Sequence, residues 1–165
     1  MKILLLDDQP NILKIMASEL KARENEVFSA HCMRDGELIV DALRNKKEDF
    51  DVVVIDLLLN RFEPSFAAEQ LIVSKAMARE KLAEIPSGQA FGLRIWQAGS
   101  GNRIPYCYMS AHPQYWMSGL GNPVEFDGAD KSELMILQLE KGRVKMADFH
   151  ERLQSVISLW KKKGW

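Results

Sequence analysis

The sequence predicts an α/β fold, a parallel sheet doubly wound with helices on both faces, and three observations point to it. Short apolar runs of strand length alternate with longer segments in which apolar residues recur one helical turn apart. Two of the runs, Ile3-Leu4-Leu5-Leu6 and Val52-Val53-Val54-Ile55, are apolar at every position, as strands covered on both faces must be. Both runs end in carboxylates, Asp7-Asp8 and Asp56, and the carboxyl ends of strands are where open α/β sheets bind ligands.

In chain order, residues 3–6 read as the first strand. Residues 11–22 follow as a helix, with Ile12, Met16 and Leu20 at i, i+4 spacing and Pro10 suited to the first turn. Residues 26–30 form a more polar strand, expected near a sheet edge. Residues 35–44 form a second helix, pairing Leu38 with Ala42 and Ile39 with Leu43. Residues 52–55 are the most β-branched stretch and should be central, residues 104–109 give the next strand, and residues 124–129 a fifth. Residues 146–162 close the chain as a helix whose stripe is Met146, Phe149, Leu153, Val156, Ile157 and Trp160.

Two stretches interrupt the alternation. Residues 60–86 contain a charged helical run, 65–84, with Leu71, Ala78, Leu82 and Ile85 as its apolar row; it reads as an inserted, half-exposed helix. Residues 133–145 place Leu134-Met135-Ile136-Leu137 and the basic turn Lys141-Gly142-Arg143 before the last helix, and read equally as strand or helix. Gly99-Ser100-Gly101-Asn102 lacks the Lys-Ser/Thr of a phosphate-binding loop and reads as a turn.

A chain of 165 residues with 47% hydrophobic content forms one domain, residues 1–165. With 22 basic and 23 acidic residues the net charge is −1, so no global field favours nucleic acid or an anionic membrane. Lys161-Lys162-Lys163 complements a helix C-terminus. Cys32 and Cys107 form no paired framework and read as buried free thiols of a reducing compartment. His31-Cys32, and Cys107 with His112, lack metal-ligand spacing. No apolar run reaches the roughly 18 to 20 residues that span a bilayer, so a cytoplasmic location is expected.

If the first and third strands are neighbours, Asp7, Asp8 and Asp56 converge at one sheet edge. Their repulsion there calls for a cation or a proton, which marks a hard-metal site. Asp56 lies between Ile55 and Leu57, where an unpaired carboxylate is costly. Ser110 follows Tyr106-Cys107-Tyr108-Met109, and Lys131 follows Asp127-Gly128-Ala129-Asp130. Ser110 by itself fits a helix cap as well as a phosphate contact, and Lys131 a surface position.

Taken in order, Asp7-Asp8, Asp56, Ser110-Ala111 and Lys131-Ser132 make the sequence resemble the receiver domain of two-component response regulators. That family carries an acidic pair after strand one, a phosphoacceptor Asp after strand three, Ser or Thr after strand four and Lys after strand five. The resemblance covers the chain apart from residues 60–86 and 133–145. It implies a flavodoxin-like fold with a five-stranded parallel sheet and an inserted helix between strand three and helix three. It further implies Mg²⁺ held by Asp7, Asp8, Asp56 and the backbone carbonyl of Leu58. Asp56 would accept a phosphoryl group from a histidine kinase or phosphotransfer protein, with Ser110 and Lys131 contacting that group. Output in such a phosphorelay is a changed surface offered to a protein target rather than an enzymatic product, with no direct binding of nucleic acid or membrane.

Departures from the pattern are Gly128, where receivers place an aromatic residue three positions before the Lys, Ser132, where Pro is common, and the insertion ahead of Gly92-Leu93. A pseudo-receiver, binding partners without phosphorylation, is the alternative that these departures suggest. A haloacid-dehalogenase-like phosphatase would need Asp-x-Asp after strand one, which is absent.

Overall fold

Residues 1–99, 102–142 and 146–165 are described by a computed structural model of the chain. One sheet holds five parallel strands, β1 (Lys2–Leu6), β2 (Glu26–Ala30), β3 (Val52–Asp56), β4 (Tyr106–Ser110) and β5 (Gln138–Glu140), in the order β2-β1-β3-β4-β5. The chain winds from β1 outward to β2, then crosses back to β3 and continues in the other direction. This reversal opens a crevice between the ends of β1 and β3. β3 and β4 are buried at every position, whereas β2, at an edge, buries only Ala30 fully.

Among the described residues, six α-helices accompany the sheet: α1 (Pro10–Lys21), α2 (Met33–Arg44), α3 (Ala67–Arg79), α4 (Gln89–Gln97), α5 (Lys131–Leu137) and α6 (Met146–Lys163). α1 packs beside α6, while Gly36 of α2 meets the Phe91 ring of α4. The stripe of α1 is Leu13, Met16 and Leu20, one residue round from the expected Ile12. In α2 the buried residues are Met33, Gly36, Val40 and Leu43, and Leu38 is exposed. α6 buries Phe149, Leu153, Val156 and Trp160 as expected; the side chain of Met146 lies outside the described set. Residues 100 and 101 of the expected turn, and residues 143–145 of the segment before α6, also fall outside it.

The inserted stretch is a short 3-10 turn, Pro64–Phe66, followed by α3. Its buried side is Val73 and Met77; of the expected row Leu71 and Ala78 are exposed, while Leu82 and Ile85, past the end of α3, pack against the same residues. Val73 and Met77 join Leu93 and Met117 in a small second core outside the main one. Arg94 of α4 holds the insertion down: it donates to both carboxylate oxygens of Glu69 at 3.0 and 2.8 Å, bonds Glu37 of α2 at 2.9 Å, and lies 3.8 Å over the Phe66 ring. Such bidentate pairing explains how Glu69 can be buried.

The expected fifth strand at 124–129 is a loop. Phe126 and Gly128 take φ of 54° and 77°, which no strand accommodates. The Phe126 ring compensates by packing among Trp96, Tyr106, Trp160 and Trp165. The strand at this edge is instead β5, which follows α5 without a connecting residue. Asp130 starts α5 through a capping box: its carboxylate accepts from the Ser132 and Glu133 amides at 2.8 and 3.0 Å, and Glu133 accepts from the Asp130 amide at 3.0 Å.

Gly92 lies against β4, and a β-carbon there would stand 2.0 Å from the Tyr108 hydroxyl oxygen and 2.8 Å from its ring. Gly92→Ala is therefore predicted to destabilise by about 1–3 kcal/mol in urea unfolding. Gly142→Ala, where no described residue lies within 4 Å, should change stability by less than about 0.5 kcal/mol.

Candidate functional site

The registers of the sheet bring the acidic residues together. Leu6 pairs with Ile55, so Asp7 leaves β1 level with Asp56 at the end of β3. Asp56 pairs with Met109, and Ser110 with Glu140. The ladder extends one step further, with the Lys141 amide donating to the Ser110 carbonyl at 3.0 Å. Asp7, Asp56, Ser110 and Lys141 thus stand at the carboxyl ends of four adjacent strands.

Carboxylate oxygens of Asp7, Asp8 and Asp56 lie within 4.8 Å of one another. Asp7 and Asp56 are 1% and 2% exposed, and Asp8 is half-buried. The Lys141 ammonium bridges the two buried carboxylates, donating to Asp7 Oδ2 at 2.7 Å and to Asp56 Oδ2 at 2.8 Å. Asp7 Oδ1 accepts from the Gln9 amide at 2.9 Å, which fixes the turn into α1. Burial pushes the Asp56 carboxyl up to about 6, with the Lys141 hydrogen bond opposing the rise and the charge of Asp7 adding to it. Burial and then Asp7 raise Asp8 as well. Burial works against the Lys141 charge, but bonds to Asp56 and Asp7 hold its ammonium above the ordinary lysine range.

The cation expected from the sequence was Lys131, and the structure corrects this. Lys131 is exposed at the first position of α5, while the cation on the carboxylates is Lys141. The reason is the misplaced fifth strand. Asp130 and Glu133, spaced as a capping box, were a legible sign that Lys131 opens a helix. β5, only Gln138-Leu139-Glu140, is too short and polar to register as a strand. With Lys141 as reference, the residue three positions earlier is Gln138 rather than Gly128. Its Nε2 donates to the Pro113 carbonyl at 2.7 Å, a polar tie to the segment after Ser110. Gly142, not Ser132, follows the Lys.

Ser110 is 1% exposed, and its Oγ accepts from the His112 amide at 3.0 Å. It precedes a single 3-10 turn, Pro113–Tyr115, and caps no α-helix. Leu58 sits beside the cluster, its amide 3.5 Å from Asp56 Oδ1, and its backbone bridges to Ser87. The end of the insertion therefore returns against the phosphoacceptor candidate: the Gly88 amide donates to the Leu57 carbonyl, and a β-carbon on Gly88 would stand 1.9 Å from the Asp56 carbonyl oxygen. Only glycine fits there. Next to Asp8, a cleft of about 420 Å³ opens between His31, Cys32, Asp35 and Arg61, leaving the Asp8 side of the cluster open to solvent.

Three carboxylates against one bridging ammonium leave a formal charge of −2. Hard oxygen donors with that residual charge fit a divalent cation such as Mg²⁺. Among the described residues, no other group of three or more His, Cys, Asp or Glu side chains converges in this way. Cys32 and Cys107 are buried free thiols.

The raised Asp56 makes a signed prediction. Its carboxyl titrates at 3.8 ordinarily and at about 6 in the fold, so across that window the folded state binds the proton more tightly than the unfolded chain. Without divalent cation, the Asp56 contribution to stability is then fully present below about pH 4, falls as pH rises through about 6, and levels off above. Between about pH 4 and 7, the chelator-treated protein should lose on the order of 2–3 kcal/mol of unfolding free energy relative to Asp56→Asn, and Mg²⁺ should shrink the difference. A difference independent of pH would contradict the assignment.

No protein-family description matches the sequence, and no curated protein is similar to it in sequence. Solved structures do match. A response regulator receiver domain protein from Clostridium thermocellum shares 18% identity at a TM-score of 0.57, covering 98% of this chain and 96% of that one. A CheY-like receiver domain protein from Methanospirillum hungatei JF-1 shares 15% at 0.53, covering 98% and 97%. The signal receiver domain of a putative LuxO repressor from Vibrio parahaemolyticus shares 15% at 0.54, covering 98% and 93%. The α/β architecture with strand order β2-β1-β3-β4-β5 is therefore that of response regulator receiver domains.

Proposed function

We propose that the protein is a phosphoacceptor receiver domain of a two-component phosphorelay, taking a phosphoryl group onto Asp56 from a histidine kinase or phosphotransfer protein. The observation that carries this reading is the Lys141 ammonium bridging Asp7 and Asp56 across adjacent strand ends. A buried arrangement so rich in negative charge is hard to account for by stability alone.

Asp56, with its carboxyl at about 6, is mostly ionised at neutral pH and able to act as nucleophile. Its oxygen forms a bond to phosphorus as the bond from phosphorus to the donor's imidazole nitrogen breaks; with the other ring nitrogen of that phosphoimidazole protonated, the donor leaves as neutral imidazole and Asp56 carries an aspartyl phosphate. Mg²⁺, held by Asp7, Asp8, Asp56 and the Leu58 carbonyl, would neutralise charge on the phosphoryl oxygens. Lys141, freed from part of its pairing with Asp56, moves its positive charge to the incoming phosphoryl oxygens. Ser110 turns its hydroxyl to donate to one of them, a bond that exists only in the modified state. The protein is then a stoichiometric acceptor, not an enzyme with a released product, and acts through its contacts with a protein target. No described helix is long and apolar enough to cross a membrane, in keeping with a cytoplasmic relay.

The test follows phosphoryl incorporation by intact mass with acetyl phosphate and Mg²⁺. The wild-type protein should gain one phosphoryl group, and Asp56→Asn none. Lys141→Ala should react about 100-fold more slowly, while Lys131→Ala keeps the wild-type rate. Equal rates for Lys141→Ala and wild type, or incorporation by Asp56→Asn, would overturn the assignment.

A further inference from the structure

We propose that Gln89 couples the phosphoacceptor site to the inserted helix α3, so that the surface shared by α3 and residues 114–120 responds to phosphorylation. This rests on the phosphoacceptor reading above. The segment leaving Asp56 and the segment leaving Ser110 are far apart in sequence, yet they meet at Gln89. Its side chain is fully buried and pairs with both backbone groups of Met117: Oε1 accepts from the Met117 amide at 3.0 Å, and Nε2 donates to the Met117 carbonyl at 2.7 Å. Nε2 also donates to Glu125 at 2.8 Å. Glu125 in turn accepts from the hydroxyls of Tyr106 and Tyr108 on β4, the strand that ends in Ser110.

On its other side Gln89 belongs to the turn that lies over the phosphoacceptor. Its amide donates to Ser87 Oγ at 3.2 Å, and the neighbouring Gly88 amide donates to the Leu57 carbonyl at 3.2 Å. The same turn grips α3. Gln70 of α3 accepts from the Ser87 amide at 3.1 Å and donates to the Ile85 carbonyl at 2.7 Å. Val73 and Met77 of α3 share their core with Met117. Between α3 and the Ser110 segment lies a cleft of about 540 Å³, bordered by Ala76, Arg79, Glu80, Gln114 and Trp116.

Apart from the part-buried Gln70–Ile85 bond, these polar groups are out of water, so none can exchange its partner for solvent without leaving a donor or acceptor unpaired. When Ser110 turns toward a phosphoryl group and draws the following segment with it, Met117 carries Gln89, and Gln89 carries the Ser87 turn and α3. The elements move as a set or the network breaks. α3, which the sheet does not require, thereby becomes a reporter of the state of Asp56.

Hydrogen exchange of the full chain with Mg²⁺, with and without beryllofluoride as phosphoryl mimic, tests this. The wild-type protein should show at least a twofold change in exchange within 67–79 and 114–120 as well as within 106–112. Gln89→Met, which keeps volume and removes the amide, should retain beryllofluoride and the response at 106–112 but lose the response at 67–79. Gln70→Met cuts the next link and should lose only the response at 67–79, so it serves if Gln89→Met does not fold. A wild-type response confined to 106–112, or transmission to 67–79 surviving both substitutions, overturns the coupling and leaves the phosphoacceptor reading intact. Failure of the wild-type protein to retain beryllofluoride overturns both.

Discussion

The mutual repulsion of Asp7, Asp8 and Asp56 is the constraint around which the rest of this molecule is arranged. Two of the three carboxylates are almost fully buried, and one ammonium serves both. In a low-dielectric crevice such a set is tolerable only when its charge is shared with a cation, a proton or an incoming anion's own partners. The parallel sheet creates the conflict by bringing the ends of β1 and β3 level, and the same sheet relieves it by placing Lys141 directly after β5. Strand order thus decides the chemistry, since a sheet with β5 elsewhere would leave the acids without their cation.

The insertion after β3 and the long segment after Ser110 do not pack separately on the sheet; they build a second small core together. Behind it Glu125 is buried against two tyrosines and Gln89, with burial pushing its carboxyl up to about 7 against the hydrogen bonds that hold it. A buried acid with so many donors fixes its neighbours in one arrangement more than it stabilises them. The aromatic cluster centred on Phe126 seals the other side of the same loop. The loop is therefore ordered by polar contacts to Gln89 and to the tyrosines of β4 on one side and by aromatic contacts on the other.

Much of this was legible from residue pattern. β1 and β3 are apolar on both faces, so their runs announce themselves, and their terminal carboxylates could be placed at one edge without coordinates. α6, with a long unbroken stripe, was equally plain. Three things were hidden for physical reasons. β5 is a three-residue edge strand, held by pairing with β4 rather than by its own apolar content. Residues 124–129 imitate a strand in composition, but Phe126 enters the aromatic cluster from a positive-φ turn while Val124 is exposed, which alternation does not encode. α3 buries Val73 and Met77 against a loop distant in sequence, so of the apolar row Leu71 and Ala78 face away from the core and only Leu82 and Ile85 pack against it. The first two errors combined to put the cation at Lys131 instead of Lys141, although the Asp130–Glu133 capping box held the correction.

The measurement that bears most directly on the central claim is chemical location of the phosphoryl group. Borohydride reduces an aspartyl phosphate to homoserine, so reduction after reaction with acetyl phosphate and Mg²⁺, followed by peptide sequencing in the mass spectrometer, reads the acceptor position itself. The account predicts homoserine at position 56 alone, and none when Mg²⁺ is chelated. Homoserine at another aspartate, Asp7 or Asp8 included, or at no position in a folded protein, would contradict it.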